Sequence, residues 1–103
     1  GNGELEHALA YAEQSVNLKP APHILDTLGW VYYRLGRLIE ALKVTEEASR
    51  QLSEDAVIFE HLGGIHRALN NLVKARDSFE RALELAPDNL ELRDKLEKLI
   101  DDL

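Results

Sequence analysis

Laid over itself at a shift of 34 residues, the chain matches itself without a gap. Leu28-Gly29 falls on Leu62-Gly63, Ala41 on Ala75, Ala48 on Ala82, Leu25 on Phe59 and Leu38 on Leu72. One unit runs from Pro22 to Asp55 and the next from Ala56 to Asn89. A fixed period of this length marks a repeated supersecondary unit that buries its apolar face only by stacking on a neighbour. No other feature restricts the possible folds as strongly.

Each unit reads as two helices. Leu25, Leu28, Tyr32 and Leu35 recur at spacings of three and four, which puts them on one helical face. Gly36-Arg37 then turns the chain, and Leu38, Ala41, Leu42, Thr45 and Ala48 make the face of the next helix. In the second unit Phe59, Leu62, His66 and Leu69 form the first face, Asn70-Asn71 the turn, and Leu72, Ala75, Phe79, Ala82, Leu83 and Leu85 the second. Pro87 ends that helix. A glycine inside a helix costs about 1 kcal/mol relative to alanine. Gly29 and Gly63 recur at one phase, opposite small residues at fixed places (Ala41 and Ala48, Ala75 and Ala82), so close helix approach is expected to offset that cost. The helices are expected at about 4–19, 22–35, 38–52, 55–69, 72–86 and 89–102.

The units resemble the tetratricopeptide repeat, whose signature is W-x2-L-G-x2-Y, then A-x3-F, then P. The first unit supplies Leu28, Gly29, Tyr32, Ala41 and Ala48, with Leu25, Thr45 and Ser53 where the pattern has Trp, Phe and Pro. The second supplies Leu62, Gly63, Ala75, Phe79, Ala82 and Pro87, with Phe59 for Trp and His66 for Tyr. Residues 4–20 look like the second helix of a partial preceding unit, because Ala8, Ala12, Ser15, Leu18 and Pro20 share the spacing of Ala75, Phe79, Ala82, Leu85 and Pro87. With no methionine in the sequence, this suggests a piece of a longer array. Residues 90–103 read as a capping helix, with Glu97 where a repeat would need a small residue and Asp88 with Glu91 as its capping box. The resemblance implies an all-α fold over 1–103, a single array of antiparallel helix pairs stacked in a right-handed superhelix, an α-solenoid.

By the same resemblance, the first helix of each pair lines a concave groove that holds an extended peptide or a partner's helix. Opposite the core, the first unit presents His23, Asp26, Trp30, Tyr33 and Arg34, and the second Val57, Glu60, His61, Gly64 and Arg67. Tyr32 belongs to the core. Trp30 and Tyr33 are of the residue types that dominate interfaces, although Trp30 has a structural alternative, packing on the N-terminal helix 4–19 or on the first helix of the partial preceding unit. Some members of the family clamp C-terminal carboxylates with lysine, asparagine and arginine. Asp26, Trp30 and His61 stand at clamp positions here, so the clamp is absent and acidic chaperone tails are not the expected ligand. Asp26 and Glu60 against Arg34 and Arg67 favour a ligand of mixed charge with one apolar anchor.

The remaining features narrow the classes. Formal net charge is −7, which disfavours nucleic acid and anionic membrane as partners. No apolar run approaches the length of a membrane span, and no signal peptide is visible. There are no cysteines, which excludes disulfides and thiolate metal sites. His61 and His66 are five apart and point away from each other. No nucleophile–base set or phosphate-binding glycine loop appears, so neither cofactor nor catalysis is expected. A soluble chain of the cytoplasm is the expectation, although the compartment is not fixed by the sequence. The partner is expected to be a protein or peptide. A homodimer through the terminal helices is the alternative, using stripes at Leu5, Leu9, Ala12 and Val16 and at Leu92, Leu96, Leu99 and Leu103.

Overall fold

The computed structural model describes residues 2–103, and side chains from residue 3 onward. Among the described residues six helices follow one another: α1 (Asn2–Leu18), α2 (Pro22–Arg34), α3 (Leu38–Gln51), α4 (Ala56–Ala68), α5 (Leu72–Leu85) and α6 (Leu90–Asp101). They fall into two compact units, one running to Leu52 and the other from Ser53 to Leu103. No strand occurs among the described residues.

The helix ends follow local chemistry. Gly36 and Asn70, one period apart, both have positive φ (78° and 63°). In each case the next amide reaches back over the last turn, Arg37 N to Tyr32 O at 2.9 Å and Asn71 N to His66 O at 2.8 Å. Gly36 N and Asn70 N bond to Tyr33 O and Arg67 O at 3.0 Å, completing the left-handed helix stop in both units. Asp55 caps α4, accepting from Val57 N at 3.0 Å and Ile58 N at 3.2 Å. Pro22 opens α2, where its missing N–H costs nothing. The cap of α6 is Asn89, which accepts from Leu92 N at 3.0 Å, and not Asp88 as expected; Asn89 is the residue adjoining the first helical turn.

In the first unit α2 packs on α3, and α1 packs on α2. Its buried residues are Leu9 and Ala12 of α1, Leu25, Leu28, Gly29 and Tyr32 of α2, and Ala41, Thr45 and Ala48 of α3. A Cβ on Gly29 would overlap Thr45 Oγ1 and lie 3.2 Å from Val44 Cγ2. Only hydrogen fits, so the glycine is the contact between the two helices. The Thr45 hydroxyl, pressed against that backbone, is buried without a hydrogen-bond partner. Tyr32 links all three helices. Its hydroxyl donates to Glu13 of α1 at 3.1 Å, and the Arg37 guanidinium, paired with Glu40 of α3, lies 4.9 Å from its ring centroid. Burial first, and then the bond to Glu13, push the Tyr32 phenol above its ordinary value.

In the second unit Ala75, Phe79 and Ala82 of α5 form one cluster with Leu92, Leu96 and Leu99 of α6, and Phe59, Leu72 and Leu83 pack against it. Here a Cβ on Gly63 would lie 2.6 Å from the Phe79 ring. Arg81 of α5 holds the entry to α4, donating to Ser53 O at 3.1 Å with its guanidinium 5.9 Å from the Phe59 centroid. His66 takes the place that Tyr32 has in the first unit, is 5% exposed, and has the Asn71 side-chain nitrogen 3.4 Å from its Nδ1.

The terminal stripes expected to serve self-association are consumed within the units. Leu9 and Ala12 are buried, Leu5 and Val16 are half-buried, and Leu92, Leu96 and Leu99 lie in the core, leaving only Leu103 exposed. The large apolar residues that α1 exposes are Tyr11 (74%) and Leu18 (82%). They sit on another side of the helix from Leu9 and Ala12, which the α1–α2 contact covers.

Candidate functional site

On α2 the core residues fix which side faces outward. Leu25, Leu28, Tyr32 and Leu35 occupy one arc, and Trp30 lies opposite its centre at about 100° per residue. Trp30 and Tyr33, one turn apart, stack with ring centroids 4.8 Å apart and planes 16° from parallel. Both are half-buried. Asp26 lies one turn before Trp30 and is half-buried, while His23 and Arg34 at the two ends of the same face are exposed. The structure therefore brings His23, Asp26, Trp30, Tyr33 and Arg34 together on one side of one helix, and keeps Tyr32 in the core.

On α4 the corresponding face carries Glu60, His61 and Gly64, all half-buried, with Val57 and Arg67 exposed. Gly64 occupies the place that Trp30 has in the first unit. A Cβ added there would meet nothing within 4 Å, so packing does not require this glycine, unlike its neighbour Gly63. Glu60 is not an isolated acid. Lys95 of α6 reaches it with Nζ 2.8 Å from Oε2, the two side chains being 47% and 23% exposed. Sequence reasoning missed Lys95, because the pair spans 35 residues and depends on how α6 docks. Lys95 was legible only as the residue one place before the buried Leu96, which puts it beside the apolar stripe.

Aromatic surface, carboxylates and guanidinium groups are present on these faces, and no described group of three or more His, Cys, Asp or Glu could hold a metal ion. Among the described residues no helix is long and apolar enough to cross a membrane. A cleft of about 310 Å³ is lined by Glu80, Leu83, Glu84 and Leu96, none of them on the α2 or α4 face.

Comparison with known proteins agrees with this architecture. The family described as tetratricopeptide repeat matches residues 56–89. No curated protein sequence matches the chain. Among solved structures, the first tetratricopeptide domain of Spaghetti (RPAP3), bound to the HSP90 peptide SRMEEVD, superposes with a TM-score of 0.92 at 24% identity, over 98% of this chain and 81% of that one. The second such domain of human RPAP3, in complex with the HSP70 peptide SGPTIEEVD, gives 0.85 at 21% identity over 95% and 82%. A tetratricopeptide-repeat protein of Thermus thermophilus, TTC0263, gives 0.85 at 27% identity, over 97% of this chain but 52% of that one. The chain thus has the all-α fold of tetratricopeptide-repeat domains, and its residues 56–89 are a tetratricopeptide repeat.

Proposed function

We propose that the protein is a non-catalytic interaction module that holds an extended peptide, or a segment of a partner protein, on the outward faces of its first helices. The observation that carries the reading is the stacked Trp30–Tyr33 pair, placed on α2 opposite the core. Stacking two large rings where they bury little of the core leaves aromatic surface available to a partner, and such residues supply most of the energy of interfaces. Similar domains of RPAP3 hold HSP90 and HSP70 peptides. Asp26, Trp30 and His61 replace the groups with which some members of the family clamp a terminal carboxylate, so the ligand is proposed to differ from those acidic tails. His23, Tyr33 and Arg34 of α2, and Glu60, Gly64 and Arg67 of α4, complete the contact residues.

The test is a peptide-display selection against the wild-type chain, with every binder re-measured on Trp30→Ala and Arg67→Glu. Removing an interface tryptophan costs about 2 kcal/mol or more, or roughly 30-fold in affinity. Binders that weaken at least that much on Trp30→Ala, with helicity unchanged, support the reading. Binders indifferent to both substitutions would sink it.

A further inference from the structure

We propose that Gly64 is a specificity-determining residue, and that the bare stretch of α4 it creates seats an aromatic side chain of the bound segment. This rests on the peptide-binding reading above and assigns the anchor that α4 takes. A glycine inside a helix is destabilising relative to alanine. At Gly29 and Gly63 close packing offsets that cost, since a Cβ at either would overlap the second helix of its unit. At Gly64 nothing does. It lies within α4, is half-buried, and a Cβ there would meet nothing within 4 Å. A helical glycine that internal packing does not require fits a place where another molecule approaches the backbone closely.

The surroundings give the size and chemistry of that group. Gly64 stands one period after Trp30, so α4 leaves open the space that an indole fills on α2. Side chains three and four residues away are the neighbours on a helix surface. Those before Gly64 are Glu60 and His61, and those after it are Arg67 and Ala68. Glu60 is held by Lys95, Nζ to Oε2 at 2.8 Å, which fixes one wall of the gap and balances its charge. Arg67 is exposed one turn beyond Gly64, and a planar guanidinium lies well over an aromatic face. The backbone groups of a helix interior are paired with one another, so the floor at Gly64 offers contact surface and not hydrogen bonds. A flat ring meets these conditions: it covers the floor, and Arg67 stacks on its open face. An aliphatic side chain forgoes the Arg67 contact, and a charged one is desolvated against a floor that cannot pair with it. Val57, 54% exposed, lies on the same side two turns earlier and extends the apolar surface for a flanking residue.

Short peptides displayed on phage are selected separately against the wild-type chain and against Gly64→Leu. Peptides from the wild-type selection are expected to share Trp, Tyr or Phe at one position. They should weaken at least about 5-fold on Gly64→Ala, and further on Gly64→Leu, the factor that overpacking a filled contact produces. Replacing the shared aromatic by alanine in the peptide should erase the difference between wild type and Gly64→Ala. The Gly64→Leu selection should return peptides with a small residue at that position. Gly64→Ala adds a better helix former that meets no neighbour, so weaker binding with an unchanged or higher urea midpoint is lost contact and not lost fold. Binders that weaken on Trp30→Ala but keep their affinity on both Gly64 variants would overturn this proposal and leave peptide binding standing. Binders indifferent to Trp30 and to Gly64 alike would overturn the underlying reading and this one with it.

Discussion

Replacing Gly63 with alanine and, separately, Gly64 with alanine should change stability in opposite directions, although the two are neighbours on one helix. Intrinsic propensity gives each substitution about 1 kcal/mol in favour of alanine. At Gly64 nothing lies within 4 Å of the added carbon, so most of that gain is realised. At Gly63 the carbon would sit 2.6 Å from Phe79 Cδ1 and Cε1 and 3.0 Å from Cγ. Carbon atoms prefer about 3.5–4.0 Å, so the ring must retreat by about 1 Å. It has nowhere to go, being 2% exposed and packed among Ala75, Ala82, Leu92, Leu96 and Leu99. Overpacking of a filled core costs about 1–3 kcal/mol. Backbone displacement of α4 from α5 takes the cost toward the upper end, leaving Gly63→Ala about 1–2 kcal/mol less stable than wild type after the propensity gain. Urea unfolding followed by far-ultraviolet circular dichroism measures both. Adding Phe79→Leu to Gly63→Ala should recover part of the loss, because the smaller side chain vacates the contact. If Gly63→Ala is as stable as Gly64→Ala, the close approach of α4 and α5 is not what the glycine serves.

Three further outcomes follow from the same packing. Thr45→Val removes a hydroxyl with no partner, worth about 1 kcal/mol, but sets a larger methyl where Oγ1 already presses on Gly29, so overpacking of about 1–3 kcal/mol should win and the urea unfolding midpoint should fall. Asn70→Gly should stabilise, since φ is 63° there, whereas Gly36→Ala should cost about 1–2 kcal/mol, read by thermal unfolding. The raised Tyr32 phenol belongs to a group whose folded pKa exceeds its unfolded value of 10.0, so its contribution is full below that pH and fades as pH climbs through the folded value. Urea midpoints measured from pH 8 to 11.5 should therefore fall less steeply in Tyr32→Phe than in wild type.

Much of this was legible in the sequence because the repeat doubles each signal. Gly29 alone would have been ambiguous, but with Gly63 in register it announces a helix contact, and the Thr45 and Phe79 atoms now identify what fills the space. Helix bounds came within one or two residues because Gly36, Asn70 and Asp55 act locally through their own backbones and caps. Features that depend on docking were not legible. The Leu5–Val16 stripe reads as an open face from α1 alone, and only the α1–α2 packing shows Leu9 and Ala12 at its middle covered. The Lys95–Glu60 pair and the place of Arg81 over Phe59 likewise require neighbouring helices to be in position. The choice of α2 and α4 came from the resemblance, which puts the first helix of each pair on the groove; their outward faces were then what remained opposite the core arc, and the Trp30–Tyr33 stacking adds geometry to that list.

The central claim is that a partner segment is taken up on the outward side of the first helices. Amide and indole chemical-shift mapping of the full chain, with a display-selected peptide added to saturation, tests it most directly. The account predicts the largest changes at the Trp30 indole N–H and at Asp26, Tyr33, Arg34, Gly64 and Arg67, with little change on α3 and on the outward side of α6. Changes centred instead on Tyr11 and Leu18, or spread over α3 and α5 with Trp30 unmoved, would contradict it.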